Sequence, residues 1–296
     1  MKIKYVYGVL KSIISHPLNQ EKKISAIFRY FKWQINTILN PYEIIYSFTE
    51  KSKLIIGRGM TGATGNLISG LHEYYDMFFL LHFLRKQDLF IDVGANIGSY
   101  TILSSAHVGA NTISFEPIPQ TYMHLMNNIK CNDIQQNTLA LNMAIGCEDG
   151  RVQFTSDLDT MNHFAISNES NTVEVNVQTL DNALKETASP ILIKIDVEGF
   201  ENDVIKGAQK VLSSEGLKAI IIELNGCGSK YGFDEAVIHD CLIDFGFLPY
   251  SYNPITRNLR LLDNHGEFNT IYIRDIEFVQ NRLIAAEKVK IRNKEI

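Results

Sequence analysis

The sequence predicts an α/β protein built around a doubly wound, mostly parallel sheet. Between residues 89 and 252, short apolar runs of strand length alternate with segments whose apolar residues recur at helical spacing. Apolar runs without polar alternation are typical of strands buried on both faces, as in a parallel sheet covered by helices. Two of these runs end in an acid followed by a glycine turn, which marks the ligand-binding edge of such sheets.

The elements follow in chain order. Strands are predicted at residues 89–93, 111–115, 138–145, 191–195, 219–224, 247–252 and 268–273. Helices are predicted at residues 74–85, 99–108, 120–131, 201–212 and 234–245. Two β-like runs interrupt this alternation, so residues 151–177 are predicted to be an insertion over the edge of the sheet. Five glycines predict loop or short-strand structure for residues 54–72.

The front of the chain predicts a basic helix. Apolar residues from Ile24 to Leu39 recur at spacings of three and four, with Asn19 as an N-cap and Pro41 as a stop. Residues 1–34 carry seven Lys and Arg residues against one acid, a net charge of +6, so the remaining residues carry −11. Two interpretations stay open: the helix packs on the body with its polar face in water, or it contacts an anionic membrane or a partner protein.

Composition and charge exclude several classes of protein. The 296 residues are 45% hydrophobic and 21% charged, which is typical of a globular chain of one large or two modest domains. No apolar run approaches the roughly 20 residues that span a bilayer, and no signal peptide is expected. The acidic body lacks the positive footprint that nucleic-acid binding needs. The four cysteines form no C-x-x-C pair, which fits free thiols in the cytoplasm.

The most informative motif is Phe-Ile-Asp-Val-Gly-Ala-Asn-Ile-Gly-Ser-Tyr at residues 90–100. A strand ends at Asp92, and Gly94 lets the backbone turn sharply before the next helix. Asn96 stands where the dinucleotide loop G-x-G-x-x-G has its middle glycine, which disfavours a pyrophosphate. The loop therefore favours a ligand without phosphates.

Acids also end two other predicted strands. Glu116 follows Asp92 by 24 positions, where an acid can accept hydrogen bonds from ribose hydroxyls. Asp196, Glu198 and Glu201 lie within six residues. Closely spaced carboxylates disfavour one another's ionisation, so one of them can act as a general base. Acids at these strand ends repel pyrophosphate and tolerate a cation, and a sulfonium nucleoside meets both conditions.

Together these motifs resemble the FkbM family of S-adenosylmethionine-dependent methyltransferases. The matching elements are Asp92-Val-Gly-Ala-Asn-Ile-Gly, Glu116-Pro117, Thr179-Leu180-Asp181, Lys194-Ile-Asp-Val-Glu-Gly-Phe-Glu201 and Gly207-Ala208, within roughly residues 85–250. The resemblance implies a class I methyltransferase fold, which is a Rossmann-like doubly wound sheet with an antiparallel last strand, here residues 268–273. It also implies S-adenosyl-L-methionine as cofactor and O-methylation, often of hydroxyls on sugars or polyketides.

The resemblance assigns a set of cofactor-binding residues. These are Asp92, Gly94, Asn96, Gly98, Glu116, Asn142, Ala144 and Asp196. The first four would form the cofactor loop, and Glu116 would hold the ribose. Asn142 and Ala144 follow the third strand and would lie near the adenine, while Asp196 would border the methyl donor.

Catalysis needs a group that accepts the proton of a hydroxyl acceptor. The candidates, in order, are Asp196, Glu198 and His163, the last within the predicted insertion. The resemblance would also place Glu201 on the reaction side. No metal is expected at the site, although oxygens of Glu223 and Asn225, together with those of Asp196 and Glu198, are of the kind that hold Mg²⁺ or Ca²⁺. Tyr231 is either a packed residue or a surface on which a sugar ring stacks.

The predicted organisation is an extension at residues 1–75, a methyltransferase domain at 76–275 and a helical tail at 276–296. The predicted function is O-methylation of a sugar hydroxyl in a surface polysaccharide or of a small-molecule acceptor. Residues 1–40 would bring a cytoplasmic enzyme to the inner face of the membrane or to a glycosyltransferase. The alternatives are a non-catalytic scaffold of the same fold and, from the glycine turn alone, a nicotinamide-dependent dehydrogenase.

Overall fold

A central sheet of eight strands organises the chain in the computed structural model, which describes residues 2–40, 42–155, 172–266 and 268–296. The helices are α1 (Lys2–Ser15), α2 (Lys23–Leu39), α3 (Thr61–Ser69), α4 (Tyr74–Phe83), α5 (Ser99–Ile102), α6 (Pro119–Cys131), α7 (Leu180–Ala183), α8 (Glu201–Lys206), α9 (Gln209–Ser213), α10 (Glu235–Asp244) and α11 (Ile276–Ile284). The strands are β1 (Ile44–Ser47), β2 (Lys53–Ile56), β3 (Leu89–Val93), β4 (Asn111–Phe115), β5 (Thr138–Leu141), β6 (Ala144–Ile145), β7 (Gly150–Thr155), β8 (Thr172–Gln178), β9 (Leu192–Ile195), β10 (Ala219–Glu223), β11 (Leu248–Asn253), β12 (Asn258–Leu261), β13 (Asn269–Ile273), β14 (Lys290–Ile291) and β15 (Lys294–Glu295).

The strand order in the central sheet is β12-β11-β13-β10-β9-β3-β4-β5. Strands β5, β4, β3, β9 and β10 are parallel, and β13 runs antiparallel between β10 and β11. This confirms the predicted mostly parallel sheet with an antiparallel last strand. Because the carboxyl ends of parallel strands share one edge, the acids that end β3, β9 and β10 lie close together.

The predicted insertion forms a separate small sheet in the order β6-β8-β7. Its strands β7 and β8 pair antiparallel from Gly150 opposite Val177 to Thr155 opposite Thr172, and residues 156–171 lie outside the described residues. The single strand expected at residues 138–145 is divided between the central sheet and this small one.

Both ends of the chain pack into the core on one face of the central sheet. Trp33, Leu54 and Leu71 from the front of the chain share this core with Tyr100 and with residues of α4, α6 and α11. The opposite face is covered by α7, α8, α9 and α10. After α11 the chain ends in the two-stranded hairpin β14–β15, where the sequence predicted only helix.

Residues 54–72 are more ordered than predicted. They contain β2 and the helix α3, although α3 holds two glycines. The strand β2 agrees with the expected short strand, but the helix α3 was not expected. It forms because burial of Ala63, Ile68 and the amide of Asn66 against the body outweighs the low intrinsic helix propensity of glycine.

The basic front helix forms as α2 and ends where predicted, at Leu39, but it begins later than predicted. Asn19 is not its N-cap, since it lies buried in a 3-10 helix (Pro17–Asn19) and its amide donates to the Ile13 carbonyl. Helix α2 packs on the body through Ala26 and Trp33, and the apolar stripe predicted from the sequence faces outward. No helix in the described part of the chain combines the length and hydropathy needed to cross a membrane.

Candidate active site

The turn after β3 brings two stretches of backbone into direct contact. Gly94 has a φ of +80°, and a Cβ at this position would lie 1.8 Å from the carbonyl oxygen of Asp196, at the end of β9. The Gly94 amide donates to the carbonyl of Phe115, at the end of β4. The turn therefore joins three strand ends at a point where only glycine fits.

The turn then enters α5 through Asn96, Ile97 and Gly98. Asn96 has a φ of 51°, and its side-chain oxygen accepts a hydrogen bond from the Ile97 amide at 2.7 Å. Asparagine tolerates this left-handed conformation better than other residues with a Cβ. Gly98 has a φ of +96°, and a Cβ there would lie 2.6 Å from the side chain of Leu125 in α6. The absence of a side chain at Gly98 therefore lets the start of α5 approach α6 closely.

Glu116 ties this turn to the end of β4. One carboxylate oxygen accepts from the Asn96 amide and the other from the Ile118 amide, each at 2.9 Å. Burial raises the pKa of Glu116 to about 7, although both backbone hydrogen bonds oppose that shift. The carboxyl group also lines the cavity at the sheet edge, where a ribose was expected.

Asp92 lies at the centre of a buried hydrogen-bond network. Its carboxylate accepts from the hydroxyl of Thr101 at 2.7 Å, and that hydroxyl also contacts Ser114. Burial raises the pKa of Asp92 to about 6, while the positive charge of Lys194 lowers it. Asp92 is therefore held behind the glycine turn by partners on α5, β4 and β9.

Lys194 is a buried cation among acids. Its ammonium group donates to the Asp196 carboxylate at 2.6 Å and lies 4.7 Å from the ring centroid of Tyr100. Burial opposes its charge, but Asp196, Glu73 and Asp92 outweigh this and raise the pKa of Lys194 above its ordinary value. Lys194 therefore remains charged and fixes the Asp196 carboxylate.

Three carboxyl groups meet at the ends of β9 and β10. Oxygens of Asp196, Glu198 and Glu223 lie within 4.8 Å of one another. Burial, followed by the charge of Asp196, raises the pKa of Glu198 to about 7 and that of Glu223 to about 9. The cluster therefore carries protons at neutral pH, and its oxygens are also the kind that Mg²⁺ prefers.

A cavity of about 260 Å³ opens at this edge of the sheet. Its described lining contains six carboxylic acids, Glu73, Asp92, Glu116, Asp196, Glu198 and Glu223, and a single lysine, Lys194. Apolar side chains from the ends of β4, β6 and β7 line another part of it. Such a charge distribution favours a ligand with a cationic centre and an apolar flat portion.

One wall of the cavity comes from the front of the chain, which the sequence did not predict. Thr61, Asn66, His72 and Glu73 line it together with residues 94–97 of the glycine turn. The Asn66 amide donates to the hydroxyl of Ser99 at 3.0 Å, which ties α3 to the start of α5. The glycines of this segment indicated close backbone approach, but no local pattern indicates which distant element is approached.

Several expected site residues have other partners. Ala144 lines the cavity, whereas the amide of Asn142 donates to the carbonyls of Glu116 and Pro117 at 2.9 Å and supports the end of β4. Glu201 does not join the acid cluster, because its carboxylate accepts from the amides of Val197 and Gly199 and holds the turn after β9.

Two other candidates remain to be placed. His163 lies outside the described residues. Tyr231 packs against Phe200 with ring centroids 4.2 Å apart and against Phe233, so its ring belongs to an aromatic cluster. A further ring stacking on Tyr231 would have to compete with these contacts.

The sheet order, the inserted antiparallel strand and the glycine turn beneath a strand-end acid define a class I methyltransferase fold. A family model described as the methyltransferase FkbM domain matches residues 92–248, more than half of the chain. The chain therefore belongs to this family.

The chain is distantly similar to several known methyltransferases. A hexuronic acid methyltransferase, AglP, of Haloferax volcanii is 28% identical over 149 residues, which cover 49% of this chain and 59% of the relative. Methyltransferase 1 of Beauveria bassiana is 29% identical over 49% of this chain and 67% of its own length. The crystal structure of the methyltransferase FkbM from Methylobacillus flagellatus superposes with a TM-score of 0.45 and 16% identity, over 72% of this chain and 52% of that one.

Proposed function

We propose that the protein transfers a methyl group from S-adenosyl-L-methionine to a hydroxyl group of a sugar in a surface glycan. The observation that carries this proposal is the cavity with six carboxylic acids around one lysine, directly beneath the glycine turn of a methyltransferase. The negative potential of these acids stabilises a sulfonium cation and repels a pyrophosphate. The name of the archaeal relative, a hexuronic acid methyltransferase, supports a sugar acceptor.

The lining residues fit the parts of such a cofactor. The carboxyl of Glu116 retains acceptor capacity for ribose hydroxyls beyond its two backbone donors. Ile118, Met143 and Ala144 offer an apolar surface for an adenine ring. Asp196 and Glu198 border the region for the sulfonium centre. When bound, the cofactor supplies a methyl group already activated by its positive sulfur.

The protein's own contribution is alignment and proton acceptance. Lys194 donates to the Asp196 carboxylate at 2.6 Å, so this carboxylate is already engaged in an ion pair. The pKa of Glu198 is raised to about 7 by burial and by Asp196 and Glu201, close to the value at which a general base works best. We therefore assign to Glu198 the role of the general base that accepts the proton of the acceptor hydroxyl. Asp196 is a positioning residue in the same cluster.

The base assignment is tested by Glu198→Gln. Loss of the carboxylate is expected to lower kcat about 10²-fold or more, because a general base contributes roughly that factor. The affinity for S-adenosyl-L-methionine, measured by calorimetry, should change less than about threefold. Glu215→Gln, an exposed change remote from the cavity, is the matched control. An unchanged kcat in Glu198→Gln contradicts the assignment.

The acceptor class is tested by mass spectrometry of surface glycans from cells with and without the gene. We expect a methyl group that is present on a sugar hydroxyl only in cells with the gene. A methyl group on a nitrogen or on a carboxyl group, or no glycan difference, would contradict the proposed acceptor. A thermal-shift comparison of S-adenosylhomocysteine with NADH tests the cofactor separately. Stabilisation by NADH alone would contradict S-adenosyl-L-methionine as the cofactor.

The buried acids predict a pH-dependent preference for a cationic ligand. Burial raises the pKa of Asp92 to about 6 and the pKa values of Glu116 and Glu198 to about 7. Because these folded-state pKa values exceed those of the unfolded chain, the unliganded protein loses stability as the pH rises from about 4 to above 7. Each ionisation adds a charge that a sulfonium stabilises and a neutral thioether does not. The affinity ratio of S-adenosylmethionine to S-adenosylhomocysteine should therefore rise about tenfold between about pH 5.5 and about pH 8 in calorimetry. A constant or falling ratio contradicts this account.

A further inference from the structure

Helix α2 has two apolar faces, and only one of them packs against the described part of the chain. The inner face packs Ala26 and Trp33 into the body. On the same side, the guanidinium of Arg29 donates to the Ile68 carbonyl of α3 at 3.0 and 2.8 Å and to the side-chain oxygen of Asn19 at 2.8 Å. These contacts fix the rotation of α2 about its axis.

The opposite face carries a continuous row of large apolar side chains, which we call the outer stripe. It consists of Ile24, Phe28, Phe31, Ile35, Ile38 and Leu39, whose side chains are 46% to 85% exposed. Their spacing of three and four places them on one side of the helix over a length of about 22 Å. Single exposed apolar residues are ordinary, but a contiguous row of this size marks an interaction surface.

The charges around the outer stripe indicate what covers it. Helical geometry places Lys32 along one border of the stripe and Lys23 along the other, and both are exposed. The segment 1–34 carries a net charge of +6, in contrast to −11 for the remaining residues. Two copies that met through this face would bring two such positive segments together, which opposes self-association. An anionic surface with an apolar interior complements both the lysines and the stripe.

We propose that α2 lies in the interface of an anionic membrane, with the outer stripe among the acyl chains and Lys23 and Lys32 at the headgroups. Helices with a wide apolar face bordered by lysines bind membranes in this way. The Arg29 contacts join α2 to α3, whose first turn lines the cavity. The membrane-bound helix would therefore be joined directly to α3, a helix that forms part of the cavity wall.

The test is sedimentation of the full-length protein with vesicles of phosphatidylcholine alone or mixed with phosphatidylglycerol. We expect binding to the mixed vesicles to exceed binding to the neutral ones at least about tenfold and to weaken with added salt. Phe28→Ser/Ile35→Ser should lower binding about tenfold or more, because two apolar side chains no longer enter the interface. Ile255→Ser/Ile284→Ser, which changes two equally exposed residues elsewhere, should bind like the original protein.

A second pair of variants separates the two components of binding. Lys23→Gln/Lys32→Gln should reduce the preference for anionic vesicles about tenfold, whereas Lys185→Gln/Lys210→Gln, exposed lysines of other elements, should retain it. Ile24→Ser/Ile38→Ser repeats the stripe test at positions that contribute nothing to the core. Equal binding to both vesicle types, or stripe variants that bind like the original protein, would overturn the proposal. A dimer in light scattering that the stripe variants abolish, without vesicle binding, would assign the stripe to a second copy instead.

Discussion

Gly94→Ala is expected to abolish measurable binding of S-adenosyl-L-methionine and to lower the free energy of unfolding by about 3 kcal/mol or more. The added Cβ would lie 1.8 Å from the backbone oxygen of Asp196, and the φ of +80° disfavours any residue with a side chain. Since both clashing groups are fixed to backbone, no rotamer change relieves the contact. The ends of β3 and β9 would have to separate, which opens the cavity. Calorimetric titration and urea denaturation measure the two effects.

The matched control is Gly109→Ala. Gly109 has a φ of +86°, but the nearest atom to an added Cβ is a flexible lysine carbon at 3.6 Å. This variant therefore carries the same conformational cost, about 1 kcal/mol, without the close approach. Cofactor affinity should be unchanged. If both variants lose affinity equally, the backbone contact is not what Gly94 provides.

Lys194→Met is expected to destabilise the protein by about 3–5 kcal/mol at neutral pH, because it leaves buried carboxylates without their cation. Lys194 lowers the pKa of Asp92 against the effect of burial, and its ammonium group binds Asp196 at 2.6 Å. Without Lys194, the pKa of Asp92 should rise further above that of the unfolded chain. The extra loss of stability therefore grows as the pH rises above about 4 and is smallest in acid. Urea denaturation at several pH values measures this dependence.

A double-mutant cycle tests whether the cost of Lys194→Met depends on the carboxylate of Asp196. In an Asp196→Asn background, Lys194→Met should cost at least about 1 kcal/mol less, since one of the carboxylates that it neutralised is gone. A cost that is independent of both pH and Asp196 would indicate that Lys194 acts through the packing of its aliphatic stem on neighbouring residues. The charge network described for the cavity would then be wrong.

The sheet and the acids at its edge could be predicted because their signals are local. Each strand is a short apolar run, and each acid follows its strand directly, as with Asp92, Glu116 and Asp196. Parallel strands then bring these ends together without further information. Glu223 was predicted to contribute oxygens to the same cluster, because it also stands at the end of a strand.

The sequence is least informative about contacts between distant segments. The roles of Asn142 and Glu201 depend on which backbone groups lie within about 3 Å, and spacing along the sequence does not specify this. The sequence left the orientation of α2 open, because an apolar stripe indicates an interface but not whether the partner is the same protein. The inner face uses Ala26, Trp33 and Arg29, a combination without a clear hydrophobic period.

Residues 61–73 form one wall of the cavity, so the start of the family match and the start of the cavity-forming chain lie at different positions. The family match begins at residue 92, but the space beneath the glycine turn is closed by a segment that precedes it. A fragment cut at the start of the family match would therefore lose Glu73, one of the six acids of the cavity, and Asn66, which anchors α3 to Ser99. The unit that must be inherited or expressed as a whole is the family domain together with the segment that precedes it.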